Sequence, residues 1–228
     1  MTRASELILR LSSVNERIVE ACNRCGRSAD EVTLVAVSKT CGSDDVQALY
    51  DVGHRDFGEN YVQEWEGKAD ALPDDVRWHF IGGLQSRKAK LVVNRVELIQ
   101  GVDRESLAEA ISKRATASQK VLIQINTGND QAKGGVDPVD AMAFFERAQA
   151  LENVTVVGLM TIPPFDADEL ELRKYFAQMR DIFETLKSTD PRVDTLSMGM
   201  TSDFEWAIEE GATMIRVGTA IFGARSKT

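Results

Sequence analysis

The sequence predicts an α/β protein of the (β/α)8, TIM-type barrel class. Three observations carry that prediction. Eight short β-rich runs alternate with longer helical patterns from residue 33 onward, the order of a parallel sheet with helical crossovers. Two of the runs, Val121-Leu122-Ile123-Gln124-Ile125 and Val154-Thr155-Val156-Val157-Gly158-Leu159, show little polar alternation, as suits strands covered on both faces. Polar residues and glycines gather at the C-terminal ends of the runs, where such a barrel builds its site.

The elements follow in order. Residues 5–25 read as an extra N-terminal amphipathic helix, with Leu7, Leu11, Val14, Ile18, Ala21 and Cys22 near one face. Strands are expected at 33–38, 55–58, 77–81, 96–100, 120–126, 154–159, 193–197 and 213–217. Helices are expected at 44–52, 60–71, 85–93, 104–118, 138–150, 168–187 and 202–210. A doubly wound open sheet is the alternative, but no GxGxxG follows the first strand. No linker rich in Pro, Gly or Ser divides the chain, so residues 1–228 read as one domain.

Composition narrows the function. The 228 residues are 43% hydrophobic and carry a net charge of −9, which disfavours nucleic acid and anionic membranes as partners. No apolar stretch reaches the ~20 residues of a membrane span, and Met1-Thr2-Arg3-Ala4-Ser5-Glu6 lacks the apolar core of a secretion signal. A cytoplasmic location is expected. Cys22 and Cys25 have CxxC spacing but lie in or at the end of a helix without a second pair, so neither zinc nor redox chemistry is expected there. Two dispersed histidines give a poor metal set. GxSxG, HExxH and Walker motifs are missing.

Lys39 ends the first apolar run, Thr33-Leu34-Val35-Ala36-Val37-Ser38. A lysine so placed carries one amine to the mouth of the core, where desolvation favours the neutral form. A neutral amine can form a Schiff base with a carbonyl, as in pyridoxal phosphate chemistry. A solvated lysine ending a strand is the ordinary alternative. Two late segments suit a phosphate: Ser197-Met198-Gly199-Met200-Thr201-Ser202-Asp203 and Arg216-Val217-Gly218-Thr219-Ala220. They follow strands seven and eight, the usual phosphate position of this fold. Arg216 ends an apolar strand and needs a partner: a pyridine nitrogen, or a salt bridge to Glu209, Glu210 or Asp203. His79 is a candidate proton carrier or a hydrogen-bonded core histidine. Asn60 could bond a ligand or cap the next helix. The basic run Gln85-Ser86-Arg87-Lys88-Ala89-Lys90 could take an anion or form a solvated face.

Several ordered motifs together resemble the YggS/PROSC family of pyridoxal phosphate homeostasis proteins. They are Val35-Ala36-Val37-Ser38-Lys39, Phe57-Gly58-Glu59-Asn60-Tyr61-Val62-Gln63-Glu64, Trp78-His79-Phe80-Ile81-Gly82-Gly83-Leu84-Gln85-Ser86, Gly158-Leu159-Met160-Thr161-Ile162, Leu196-Ser197-Met198-Gly199-Met200-Thr201-Ser202-Asp203 and Ile215-Arg216-Val217-Gly218-Thr219-Ala220-Ile221-Phe222-Gly223. The chain departs from the family at Arg87, where Asn is common, and in 126–134. The resemblance implies a barrel like that of alanine racemase. It implies pyridoxal 5′-phosphate on Lys39 as an internal Schiff base. Ser197, Gly218 and Thr219 would hold the phosphate and Arg216 would face the pyridine nitrogen, with Asn60, Met200 and His79 nearby.

Two functions are weighed. One is a non-enzymatic protein of intracellular cofactor homeostasis, a probable monomer in transient contact with apoenzymes that use the cofactor. The other is an amino-acid racemase. A racemase needs bases on opposite faces of the ring, and Tyr50, Tyr61 and Tyr175 offer no convincing second base beside Lys39. The chain also ends soon after strand eight, leaving nothing for the second domain of such racemases. The non-enzymatic reading is therefore the expected one, with weak residual racemase-type activity left open.

Overall fold

The computed structural model describes residues 2–128 and 134–224. Helix α1 (Arg3–Arg24) precedes eight strands: β1 (Thr33–Val37), β2 (Asp56–Glu59), β3 (Arg77–Phe80), β4 (Leu98–Val102), β5 (Gln119–Ile125), β6 (Val154–Thr161), β7 (Thr195–Ser197) and β8 (Met214–Val217). All neighbouring strands pair in parallel, and β8 returns to β1 to close the barrel. Between and after them lie α2 (Ser43–Tyr50), α3 (Val62–Ala69), α4 (Ala89–Val92), α5 (Glu105–Ser112), α6 (Ala141–Gln149), α7 (Glu169–Thr189), α8 (Phe204–Glu209) and α9 (Thr219–Phe222). The barrel and all eight strands match the expectation from sequence, with shifts at their ends.

The main core fills the layer between sheet and helices. The six residues read as the inner face of α1 are its six buried residues. The helix packs on α2, α8 and α9, so it covers the outside of the β8–β1 seam. Thr2 and Ser5 close its first turn as a reciprocal cap.

The barrel lumen holds a second, smaller core of Val35, Leu98, Leu122, Met160 and Met214. Residues two apart on a strand share a face. Hence Gln100, Gln124 and Arg216 stand one layer nearer the C-terminal mouth than Leu98, Leu122 and Met214. All three polar residues are buried. The lumen is thus apolar below and polar above.

Several helices are shorter than periodicity predicts. The stretch 85–93 splits into a 3-10 turn, Ser86–Lys88, and one turn of α4. Helix α5 stops at Ser112 rather than 118; beyond it the backbone N–H of Thr116 bonds Asn94 Oδ1 at 2.9 Å. At the start of α6, Asp137 accepts from Val139 N–H, and Pro138 opens a 3-10 turn. Helix α9 was not expected; its four residues lie between Gly218 and Gly223 and read as loop.

Gly158 shows how tightly β6 meets β7. A Cβ there would stand 1.7 Å from the Thr195 carbonyl oxygen. Gly158→Ala is expected to destabilise the protein by about 3 kcal/mol, read as a fall in thermal midpoint; an unchanged midpoint would rule out this strand pairing.

Candidate cofactor-binding site

The site begins with the polar layer of the lumen. Arg216 is 4% exposed. Its Nη1 donates to Ser197 Oγ at 2.6 Å and its Nη2 to the Thr161 carbonyl at 2.7 Å. Among the described residues no carboxylate lies within ion-pairing distance of it. Glu209 and Glu210, weighed above as partners, pair on the outside with Arg24, Arg173 and Arg180. Burial pulls the guanidinium down to about 10, with Asp203 acting against that fall through its charge. A guanidinium has five N–H donors, and the two bonds named use two of them. A buried cation bonded only to neutral oxygens favours an acceptor or anion above it.

Ser197 is wholly buried, and its hydroxyl is committed inside the barrel: it accepts from Arg216 and donates to Gln100 Oε1 at 2.7 Å. The structure therefore places Ser197 beneath the guanidinium, as its support. The hydroxyl in position for the loop after β8 belongs to Thr201, whose Oγ1 accepts from Ala220 N–H at 3.4 Å. That bond joins the β7–α8 turn to the start of α9, next to half-buried Gly218 and exposed Thr219. Thr201 stands in the segment flagged from sequence for a phosphate; its partner across the two loops was not legible there. Gly199 makes the turn possible. It has φ +93°, and a Cβ on it would come 2.6 Å from Ala207 Cβ.

Asp203 holds the same turn by accepting from Met200 N–H at 2.5 Å. Burial raises the Asp203 carboxyl above its ordinary pKa, although that hydrogen bond and the charge of Arg216 oppose the rise. Met200 lines a cavity of about 270 Å³ between the loops after β6 and β7, with Pro163, Ser202 and Trp206 among its walls.

Lys39 is half-buried on the turn that follows β1. Val35 and Val37 precede it on the lumen face, and the β1–β8 register sets Val35 against Arg216. The Lys39 turn and the Gly218 loop thus leave neighbouring strands at the same end of the barrel. Asn60 leaves the adjacent strand, β2. Its Oδ1 is buried without a hydrogen-bond partner among the described residues, which leaves an acceptor open to a ligand or a water.

His79, like Ser197, stands below the level expected from sequence. Its register partner on β4 is Leu98, so it stands in the apolar layer, below Gln100. Its Nδ1 meets Gln100 Nε2 at 3.3 Å and its Nε2 meets Asp56 Oδ1 at 3.0 Å. Asp56 begins β2 and is paired with Arg77 at 2.5 Å. The side chain therefore points toward the N-terminal opening, away from the Lys39 turn. Arg87 is exposed and bonds Gln85 at the 3-10 turn, a solvated face. Residues 129–133 of the segment that departs from the family lie outside the described residues.

The model of the alanine racemase N-terminal domain matches residues 10–226. A protein of Aquifex aeolicus named pyridoxal phosphate homeostasis protein is 45% identical over 95% of this chain and 97% of its own. The chain belongs to this family. PipY of Synechococcus elongatus, solved with pyridoxal phosphate bound, superposes with a TM-score of 0.82 at 36% identity, covering 97% of this chain and all of PipY. Alanine racemase from Corynebacterium glutamicum shares the fold at a TM-score of 0.73 and 15% identity, with 94% of this chain matched to 62% of the racemase.

The lower end of the lumen generates a pH prediction. Burial pushes the Asp56 carboxyl upward, but hydrogen bonds from Arg77 and His79 outweigh it and hold Asp56 well below the usual carboxylate range. The unfolded value is near 3.9, so ionised Asp56 contributes stability above about pH 4 that is lost as pH falls toward the folded value. Asp56→Asn is expected to make the acid limb of the stability curve shallower. A variant with a limb as steep as wild type would refute the assignment.

Proposed function

We propose that this protein binds pyridoxal 5′-phosphate as a Schiff base on Lys39 and releases it again, in cofactor homeostasis rather than in turnover. The observation that carries this reading is the buried Arg216 guanidinium, bonded among the described residues to neutral oxygens, at the same end of the barrel as the Lys39 turn. The cofactor would supply an electrophilic aldehyde, a ring nitrogen and a phosphate. Arg216 donates to the ring nitrogen and keeps it unprotonated, which weakens the ring as an electron sink. Thr201, Gly218 and Thr219 hold the phosphate from the two loops, in the position this fold commonly uses. Asn60, with its unpartnered oxygen, contacts the ring, and Met200 stands on the turn after β7 that carries Thr201.

The residues also favour holding over racemisation. None of the three tyrosines is buried in the lumen. Tyr50 bonds Asp75, Tyr61 is 56% exposed and Tyr175 lies on α7. A second base opposite Lys39 is thus not supplied by tyrosine. Transient contact with apoenzymes belongs to the same reading. Tyr61, Val139 and Phe165 are exposed on segments that follow β2, β5 and β6, and these give the C-terminal end apolar points of contact. The protein acts as a monomer in the cytoplasm on this reading; among the described residues no helix is long and apolar enough to cross a membrane.

The experiment is an absorption spectrum of the purified protein with added cofactor, before and after borohydride reduction, with the labelled peptide mapped. Wild type should show a visible band and a pyridoxyl group on Lys39; Lys39→Ala should lose both. A band that survives in that variant would sink the assignment. Thr201→Ala combined with Thr219→Ala should weaken pyridoxal phosphate about tenfold or more and leave unphosphorylated pyridoxal unchanged. Equal affinity of wild type for the two ligands would rule the phosphate loops out.

A further inference from the structure

Both flanks of Lys39 are tied down from outside the barrel, by one helix. After Lys39 comes Thr40, a β-branched residue at φ +68°, where side chains other than glycine are strained. Its N–H donates to Glu64 Oε2 at 2.8 Å. Before Lys39 comes Ser38, whose carbonyl accepts from Lys68 Nζ at 2.7 Å. The Ser38 hydroxyl donates to Glu59 Oε1 at 2.6 Å. Glu64 and Lys68 are four residues apart on α3 and so share one face of it.

The cluster behind the turn is costly. Lys68 and Glu59 form a buried ion pair at 2.5 Å, with side chains 7% and 0% exposed. Glu59 Oε2 has no hydrogen-bond partner among the described residues. Such a pair contributes little to stability compared with apolar packing. Its value lies in what it locates, and what it locates is the backbone on either side of one lysine.

We infer that Glu64 and Lys68 are positioning residues that hold the Lys39 amine in place for condensation with the cofactor aldehyde. This rests on the reading that Lys39 is the Schiff-base lysine. In that condensation the neutral amine forms a C–N bond to the aldehyde carbon. The carbonyl oxygen leaves as water with both amine protons, and no atom changes oxidation state. A turn left loose on either side of Lys39 would lower the share of cofactor held covalently. It would leave the ring and phosphate contacts of β7 and β8 intact.

The test compares two ligands on the full chain: pyridoxal 5′-phosphate, and pyridoxine 5′-phosphate, which has no aldehyde. Glu64→Ala is expected to lower the Schiff-base equilibrium constant about tenfold, the usual effect of one charge-assisted hydrogen bond. Pyridoxine 5′-phosphate affinity should stay at the wild-type level. Glu64→Gln still offers an oxygen to Thr40 N–H and should restore the Schiff base. Lys68→Arg keeps a donor for the Ser38 carbonyl and should behave alike, whereas Lys68→Met carries the risk of unfolding. Equal weakening of both ligands in Glu64→Ala, or no change in either, overturns the positioning role. Wild-type protein whose reduced adduct maps away from Lys39 would instead overturn the underlying reading, and the inference with it.

Discussion

Closure of the barrel is the constraint on which everything else depends. Strand β8 pairs with β1 so that Val35 stands beside Arg216 and Ala36 beside Val217. Those residues come from opposite ends of the chain. Once they are paired, the turn carrying Lys39 and the loop carrying Gly218 and Thr219 must emerge side by side. Helix α1 reinforces the seam from outside, through α2, α8 and α9. The N-terminal helix therefore bears on the site although none of its residues reaches it.

Closure also creates an enclosed lumen, and the lumen imposes a cost on any polar side chain within it. The protein meets that cost with a connected set of bonds. Arg216 donates to Ser197, Ser197 to Gln100, and Gln100 approaches His79, which meets Asp56 and through it Arg77. The chain of contacts runs from the polar upper layer through the apolar lower one to the N-terminal opening. Within it Asp56 is held ionised by Arg77 and His79. At the upper end the guanidinium receives no such counter-charge in direct contact. The asymmetry is physical: the lower end pairs its charges by itself, and the upper end leaves a buried guanidinium with neutral partners among the described residues.

Much of this was legible in the sequence, and the reasons for the rest are specific. Eight β-rich runs between helical patterns carried the barrel, because strands covered on both faces need no polar alternation. Lys39, Arg216, Gly218 and Thr219 were legible because residues at strand ends must converge once the barrel closes. Ser197 and His79 were misplaced by one layer. Their positions depend on register, His79 on its pairing with Leu98, and a run of residues shows no register. Thr201 bonds Ala220 on the next βα loop, a pairing across two loops that a run of residues does not show. Lys68 follows Val62 and Trp65 at helical spacing, so its burial was readable from periodicity. Its partners were not, because Glu59 faces outward only once Gly58 is known to face the lumen. A Cβ on Gly58 would come 2.9 Å from Val35 and 3.1 Å from Ile81.

On the proposed reading the two halves of the site are held by different means, and this bears on reversible binding. The amine side is fixed from outside the sheet by α3, through Glu64 and Lys68. The ring and phosphate side is fixed by the turns after β7 and β8, through Gly199, Asp203 and the Thr201–Ala220 bond. The halves meet through the β1–β8 pairing. In the proposal, covalent and non-covalent retention have separate supports and can change separately. A protein that must both keep and surrender a cofactor gains from that separation, since hydrolysis of one C=N bond leaves a ligand held by the second half alone. An enzyme that draws a proton from its substrate needs the opposite, a single rigid constellation with bases fixed on both faces of the ring. The separate supports of this barrel therefore favour the proposed holder over a racemase.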